Sequence, residues 1–261
     1  MNYERRGSGT PLVLLHGIAH RWQAWEPVLD ELAEHHDVIA VDLPGFGLSP
    51  APDGGWPDSV PGLAALLGSY LASLGVDRPH LAGNSLGGAL AIELAAAGRA
   101  RSVTALSPLG LGTATESWWG FGVLVEHRVL SFLPEAAIRR VVATPIGRRL
   151  SMAMIMSAPD RLTPERCTRD ALAMRRGKGF RPVARMTRGY QLPAVTVDVP
   201  MTIAWGDRDR ILLPRQAIRA RNRLPSARHL TLPRCGHVPM GDNPSLVART
   251  ILETTGAVVP K

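Results

Sequence analysis

Ser85 sits in Gly83-Asn84-Ser85-Leu86-Gly87, between the short apolar approach His80-Leu81-Ala82 and an Ala/Leu-rich helical run over residues 89–97. This is the G-x-S-x-G pattern in a strand-turn-helix setting, a turn that strains the backbone and holds a serine hydroxyl out over a sheet edge. Gly83 and Gly87 supply no Cβ to clash where strand and helix crowd together. The helix that follows offers unpaired N–H groups where negative charge would develop on a reacting carbonyl oxygen. A serine hydroxyl is a poor nucleophile until a base takes its proton, and that base needs a partner to orient it. After Ser85 the chain supplies, in order, Gly206-Asp207-Arg208-Asp209 and Gly236-His237-Val238-Pro239. The chemistry these residue types could perform together is nucleophilic acyl transfer.

The surrounding elements must bring these groups to one edge. Residues 11–15 form a continuous apolar run that stops at His16-Gly17, and residues 37–42 hold a second, Val38 to Val41, that ends at Asp42. Both read as buried strands. Helical spacing follows each, over residues 22–33 and 63–74, the latter closed by Gly75. Residues 102–106, 199–205 and 228–232 are further strands, with helices expected over 214–224 and 243–254. Alternating strands and helices imply crossover units and a mostly parallel sheet covered on both faces. Such sheets bind ligands at the carboxyl ends of their strands. His16, Asp42 and Ser85 all fall at such ends.

The order of serine, aspartate and histidine joins His16-Gly17 after a strand and Asp42-Leu43-Pro44-Gly45-Phe46-Gly47. Together these motifs resemble the α/β-hydrolase-fold superfamily over nearly the whole chain, with only the segment between residues 110 and 193 unmatched in detail. The resemblance implies an α/β fold with a mostly parallel central sheet, helices on both faces and an inserted helical cap. It implies Ser85 as nucleophile and His237 as general base and acid. The family's Trp-Gly-x-x-Asp pattern points to Asp209 as the acid that orients His237, with Asp207 as the runner-up, otherwise left to cap the loop or pair with Arg208 or Arg210. The oxyanion hole is expected from the backbone N–H groups of Leu86 and Ile18. No metal or organic cofactor is implied. The expected substrate is a small molecule with a carboxylic ester or related acyl bond. A carbon–carbon bond hydrolase and a thioesterase share the same plan, although Val238 stands where the former often has Trp. A ligand-binding protein that kept the fold without turnover is the alternative from another class.

Composition bounds these readings. At 261 residues, 45% hydrophobic and 20% charged, the chain suits one α/β domain with an insertion. The expected division is a core over 1–112 and 194–261 and a helical cap over 113–193. Residues 139–188 hold twelve Arg and Lys178 against Asp160, Glu165 and Asp170, so that segment carries +10 and the rest of the chain −2, for a net charge of +8. No nucleic-acid motif accompanies it, and a solvated Arg-rich helical surface is the favoured reading over a face for anionic partners. Trp118, Trp119 and the cluster Met152, Met154 and Met156 could line an apolar acyl pocket or pack the cap. Cys167 and Cys235 are far apart, without metal-type spacing. No apolar run is long enough to span a bilayer, and Met1 to Arg6 lead into no signal-like stretch, so the expected location is the cytoplasm.

Overall fold

The computed structural model describes residues 1–194 and 197–257. Residues 195–196 and 258–261 of the expected core therefore lie outside the described residues. The first half runs β1 (Tyr3–Arg6), β2 (Pro11–Leu15), α1 (Glu26–Ala33), β3 (Asp37–Val41), α2 (Val60–Ser73), β4 (His80–Asn84), α3 (Leu86–Ala96) and β5 (Ser102–Leu106). Five helices follow: α4 (Ala114–Leu130), α5 (Glu135–Val142), α6 (Pro145–Met152), α7 (Pro164–Arg176) and α8 (Phe180–Met186). The chain then returns as β6 (Met201–Gly206), α9 (Gln216–Arg223), β7 (Arg228–Leu232), α10 (Pro239–Asp242) and α11 (Pro244–Thr255).

The seven strands form one sheet in the order β1-β3-β2-β4-β5-β6-β7. Only β1 is antiparallel, pairing with β3 at the edge; every other pairing is parallel. Strand alternation splits the core. Val13 and Leu15 face one cluster with Leu63 and Leu67 of α2 and Leu90 of α3. Leu12 and Leu14 face another with Val28 and Leu32 of α1 and Val247 and Ile251 of α11. Burial on both faces explains why the central strands read as unbroken apolar runs.

Capping groups move several helix boundaries away from the apolar periodicity. The Ser59 hydroxyl accepts the Gly62 N–H at 3.3 Å, so α2 opens at Val60, three residues earlier than its apolar spacing implies. Thr113 and Glu116 form a capping box that starts α4, a 17-residue helix. Over residues 22–33 the expected single helix divides into a 3-10 turn, Trp22–Trp25, and α1.

Candidate active site

Ser85 joins β4 to α3 with φ 57° and ψ −116°, in the left-handed half of the map that side-chain-bearing residues avoid. Three backbone hydrogen bonds hold it there. Its N–H donates to Leu106 O at 2.9 Å, and its carbonyl accepts from Ala89 at 3.1 Å and Leu109 at 3.0 Å. A Cβ on Gly83 would lie 2.1 Å from Gly87 O, and one on Gly87 would lie 2.0 Å from Leu15 O. The turn can close only without those side chains.

His237 lies in the loop after β7, with its Nδ1 2.8 Å from Asp209 Oδ2. Asp209 is buried, and its other oxygen accepts the Ile211 and Leu212 N–H groups, each at 2.9 Å. Asp207 is exposed. The carboxylate that meets His237 is therefore Asp209. Ser85 Oγ and His237 Nε2 share no hydrogen bond in this structure; such contacts commonly tighten only when substrate is bound.

The loop after β2 passes beside the serine, since a Cβ on Gly17 would lie 3.2 Å from Ser85 Cβ. His16 fixes this loop. The Leu43 N–H donates to His16 Nε2 at 2.9 Å, which leaves the ring proton on Nδ1, 2.7 Å from Gly17 O. Burial pulls the His16 pKa down to about 4, so the ring stays neutral. The Asp42 carboxylate accepts from Trp22 N at 2.7 Å, from Leu48 N at 2.9 Å and from the Asn2 side-chain amide at 2.8 Å. Leu86 is the first residue of α3, so its N–H has no carbonyl one turn behind it.

Ser85 and Ile18 border a cavity of about 520 Å³. Its wall is largely apolar, with Leu109, Trp118, Phe121, Leu124 and Ile211. Trp119 is not part of it; its indole N–H donates to Arg210 O at 2.8 Å. Met152 and Met156 line a separate cavity, and Met154 packs against the core. Of the two readings for these residues, pocket lining at the serine holds for Trp118, while Met154 packs against the core; Trp118 and Trp119, adjacent on α4, point to different sides.

Residues 12–250 match the family model described as the Alpha/beta hydrolase family. The chain belongs to this family. It is similar to a pimeloyl-[acyl-carrier protein] methyl ester esterase of Aeromonas hydrophila subsp. hydrophila, 29% identical over 94% of each chain. It is also similar to a 2-hydroxy-6-oxo-2,4-heptadienoate hydrolase of Pseudomonas putida, 41% identical over 34% of this chain and 33% of that one. Across the first curated relatives it matches, the chain spans 33% to 59% of their length. Among solved structures, the enol-lactonase from Burkholderia xenovorans LB400 superposes with a TM-score of 0.76 at 20% identity, over 98% of this chain and 96% of that chain.

Three residues of this α/β hydrolase escape sequence reasoning. Asn84 donates its side-chain N–H to His237 O at 2.9 Å, tying the histidine loop to the serine turn. Asp242 accepts from Gly236 N at 2.7 Å and Ala158 N at 2.7 Å, bracing the same loop from behind. Gln216 borders the large cavity at 0% exposure, yet neither end of its amide has a protein hydrogen-bond partner. Native interiors seldom tolerate such a group without a reason. Burial pushes the thiol of Cys235, close to the histidine, up to about 12, which disfavours the nucleophilic thiolate. Among the described residues no His/Cys/Asp/Glu group could hold a metal ion.

Proposed function

We propose that the protein is a serine hydrolase that cleaves a carboxylic ester through an acyl-enzyme. The observation that carries this reading is the buried Asp209–His237 pair, 2.8 Å apart, tied by Asn84 to a strained serine turn that opens on an apolar cavity. Asp209 holds the Nδ1–H tautomer, leaving Nε2 free to take the Ser85 proton. The hydroxyl oxygen then attacks the substrate carbonyl, and the N–H groups of Leu86 and Ile18 receive the developing oxyanion. His237 returns the proton to the alcohol oxygen as the ester C–O bond breaks. Water, deprotonated by the same nitrogen, attacks the acyl carbon, and Ser85 leaves as the alcohol.

Helices α4 to α8 serve as the cap in this reading. They supply Trp118, Phe121 and Leu124 as the wall for the apolar part of the substrate. The similarity to a methyl ester esterase over nearly its full length supports an ester over other acyl bonds. The test is labelling with a serine-directed fluorophosphonate together with hydrolysis of p-nitrophenyl esters of increasing chain length. Ser85→Ala should abolish labelling and lower kcat by at least about 10⁴-fold. A binding protein without turnover is the outcome if the wild-type chain neither labels nor hydrolyses any ester or acyl thioester.

A further inference from the structure

Large apolar side chains exposed to solvent are concentrated in one part of this molecule. Among the described residues there are eleven, and seven fall between positions 129 and 150. Val129, Leu130, Phe132 and Leu133 mark the end of α4 and the turn beyond it, at 45% to 64% exposure. Val141 lies in the last turn of α5, and Ile146 and Leu150, exposed at 71% and 79%, stand four residues apart on one face of α6. A concentration of this kind marks an interaction surface. Leu130, Leu133 and Val141 also line the second cavity, of about 270 Å³, so they border one opening. Ala19 and Val238, the chain neighbours of Ile18 and His237, also line it.

The charge around this face is mostly positive. Residues 129–150 contain four arginines against the single acid Glu135. Arg139, Arg140 and Arg149 are exposed, as is Arg176, next to the Arg175 side chain that reaches Leu133 O. Glu135 pairs with Arg139 and Asp160 with Arg149, both at the surface, where such pairs are readily exchanged for other anions. We propose that this face docks on the surface of an anionic phospholipid bilayer, with the apolar side chains in the acyl boundary and the arginines at the headgroup phosphates. A second copy of the chain would bring the same cations against themselves across a twofold axis. A bilayer offers both an apolar layer and opposite charge. Contact with the bilayer surface is the mode that fits, because no helix among the described residues is long and apolar enough to cross a membrane. The docking does not depend on the ester-hydrolase reading.

The experiment is flotation of the full chain with vesicles of phosphatidylcholine alone and of phosphatidylcholine with phosphatidylglycerol. Binding is expected to the anionic vesicles, weakening about tenfold as salt is raised to about 0.5 M, because the arginine attraction is screened. The double variant Ile146→Glu, Leu150→Glu changes only exposed side chains and should partition at least about tenfold more weakly. Its hydrolysis of a water-soluble ester should stay unchanged. Ser85→Ala should float like the wild type, which separates failure of the docking from failure of the catalytic reading. Absence of binding to anionic vesicles, equal binding to both vesicle types, or unaltered binding by the double variant overturns the proposal. Concentration-dependent dimerisation abolished by the double variant, without vesicle binding, would assign the face to a second copy instead.

Discussion

Asp209→Asn should abolish turnover while leaving the fold nearly intact, and the reason lies in how the carboxylate is held. Its Oδ1 accepts two backbone N–H groups, from Ile211 and Leu212, and its Oδ2 faces His237 Nδ1. An asparagine can satisfy both backbone donors only by placing its carbonyl oxygen there. Its NH₂ group then points at the histidine. A donor facing Nδ1 selects the tautomer with the proton on Nε2, the nitrogen that must accept the Ser85 proton. The base is therefore present in place but blocked. A loss of about 10⁴-fold in kcat is expected, equivalent to about 5.4 kcal/mol at 1.36 kcal/mol per decade. The neutral amide keeps all three hydrogen-bonding positions filled, so the unfolding midpoint should move little. The assay is steady-state hydrolysis of a p-nitrophenyl ester beside thermal unfolding, with Asp207→Asn in parallel. Asp207 is exposed, and its variant should stay within about threefold of wild type, the range of a surface change. An active Asp209→Asn protein with a dead Asp207→Asn protein would refute the assignment and the tautomer argument with it.

Gly87→Ala should cost at least about 3 kcal/mol in denaturant unfolding, because its Cβ would lie 2.0 Å from Leu15 O and neither backbone can yield without moving β2 or α3. Gln216→Leu should leave stability equal or higher by about 1 kcal/mol, since it removes a buried amide with no protein partner. The same change should raise KM for acyl groups carrying a polar substituent while sparing plain alkyl esters; a drop in stability instead would show that the amide is needed by the fold. The neutral, buried His16 and His80 each have a pKa near 4 against 6.5 when unfolded, burial being the main cause. The unfolded chain therefore takes up protons first as pH falls, so stability is full above pH 6.5 and is lost progressively down to pH 4. At 1.36 kcal/mol per unit each contributes about 3 kcal/mol, and urea midpoints that stay flat between pH 6.5 and 4.5 would contradict this.

The α/β-hydrolase fold and the serine turn were legible in the sequence because both are written locally. Apolar runs buried on two faces give strands, 3.6-residue spacing gives helices, and Gly83 and Gly87 flank Ser85 at fixed offsets whatever the rest of the chain does. The choice between Asp207 and Asp209 is of another kind. Residue types and order left two carboxylates in one loop, and only the packing of β6 against β7 sets Oδ2 of Asp209 beside His237 while Asp207 faces solvent. Asn84 and Asp242 were invisible for the same reason. His237 lies 153 positions from Asn84 and Ala158 lies 84 from Asp242, and a polar side chain carries no mark in sequence of the distant backbone group that satisfies it. Tertiary packing likewise decided what the clustering of Trp and Met could not: Trp118 borders the cavity at Ser85, while Met152 and Met156 border another. Local pattern determined the scaffold and the turn that strains its serine; long-range satisfaction of buried polar groups decided which residues stand around that serine.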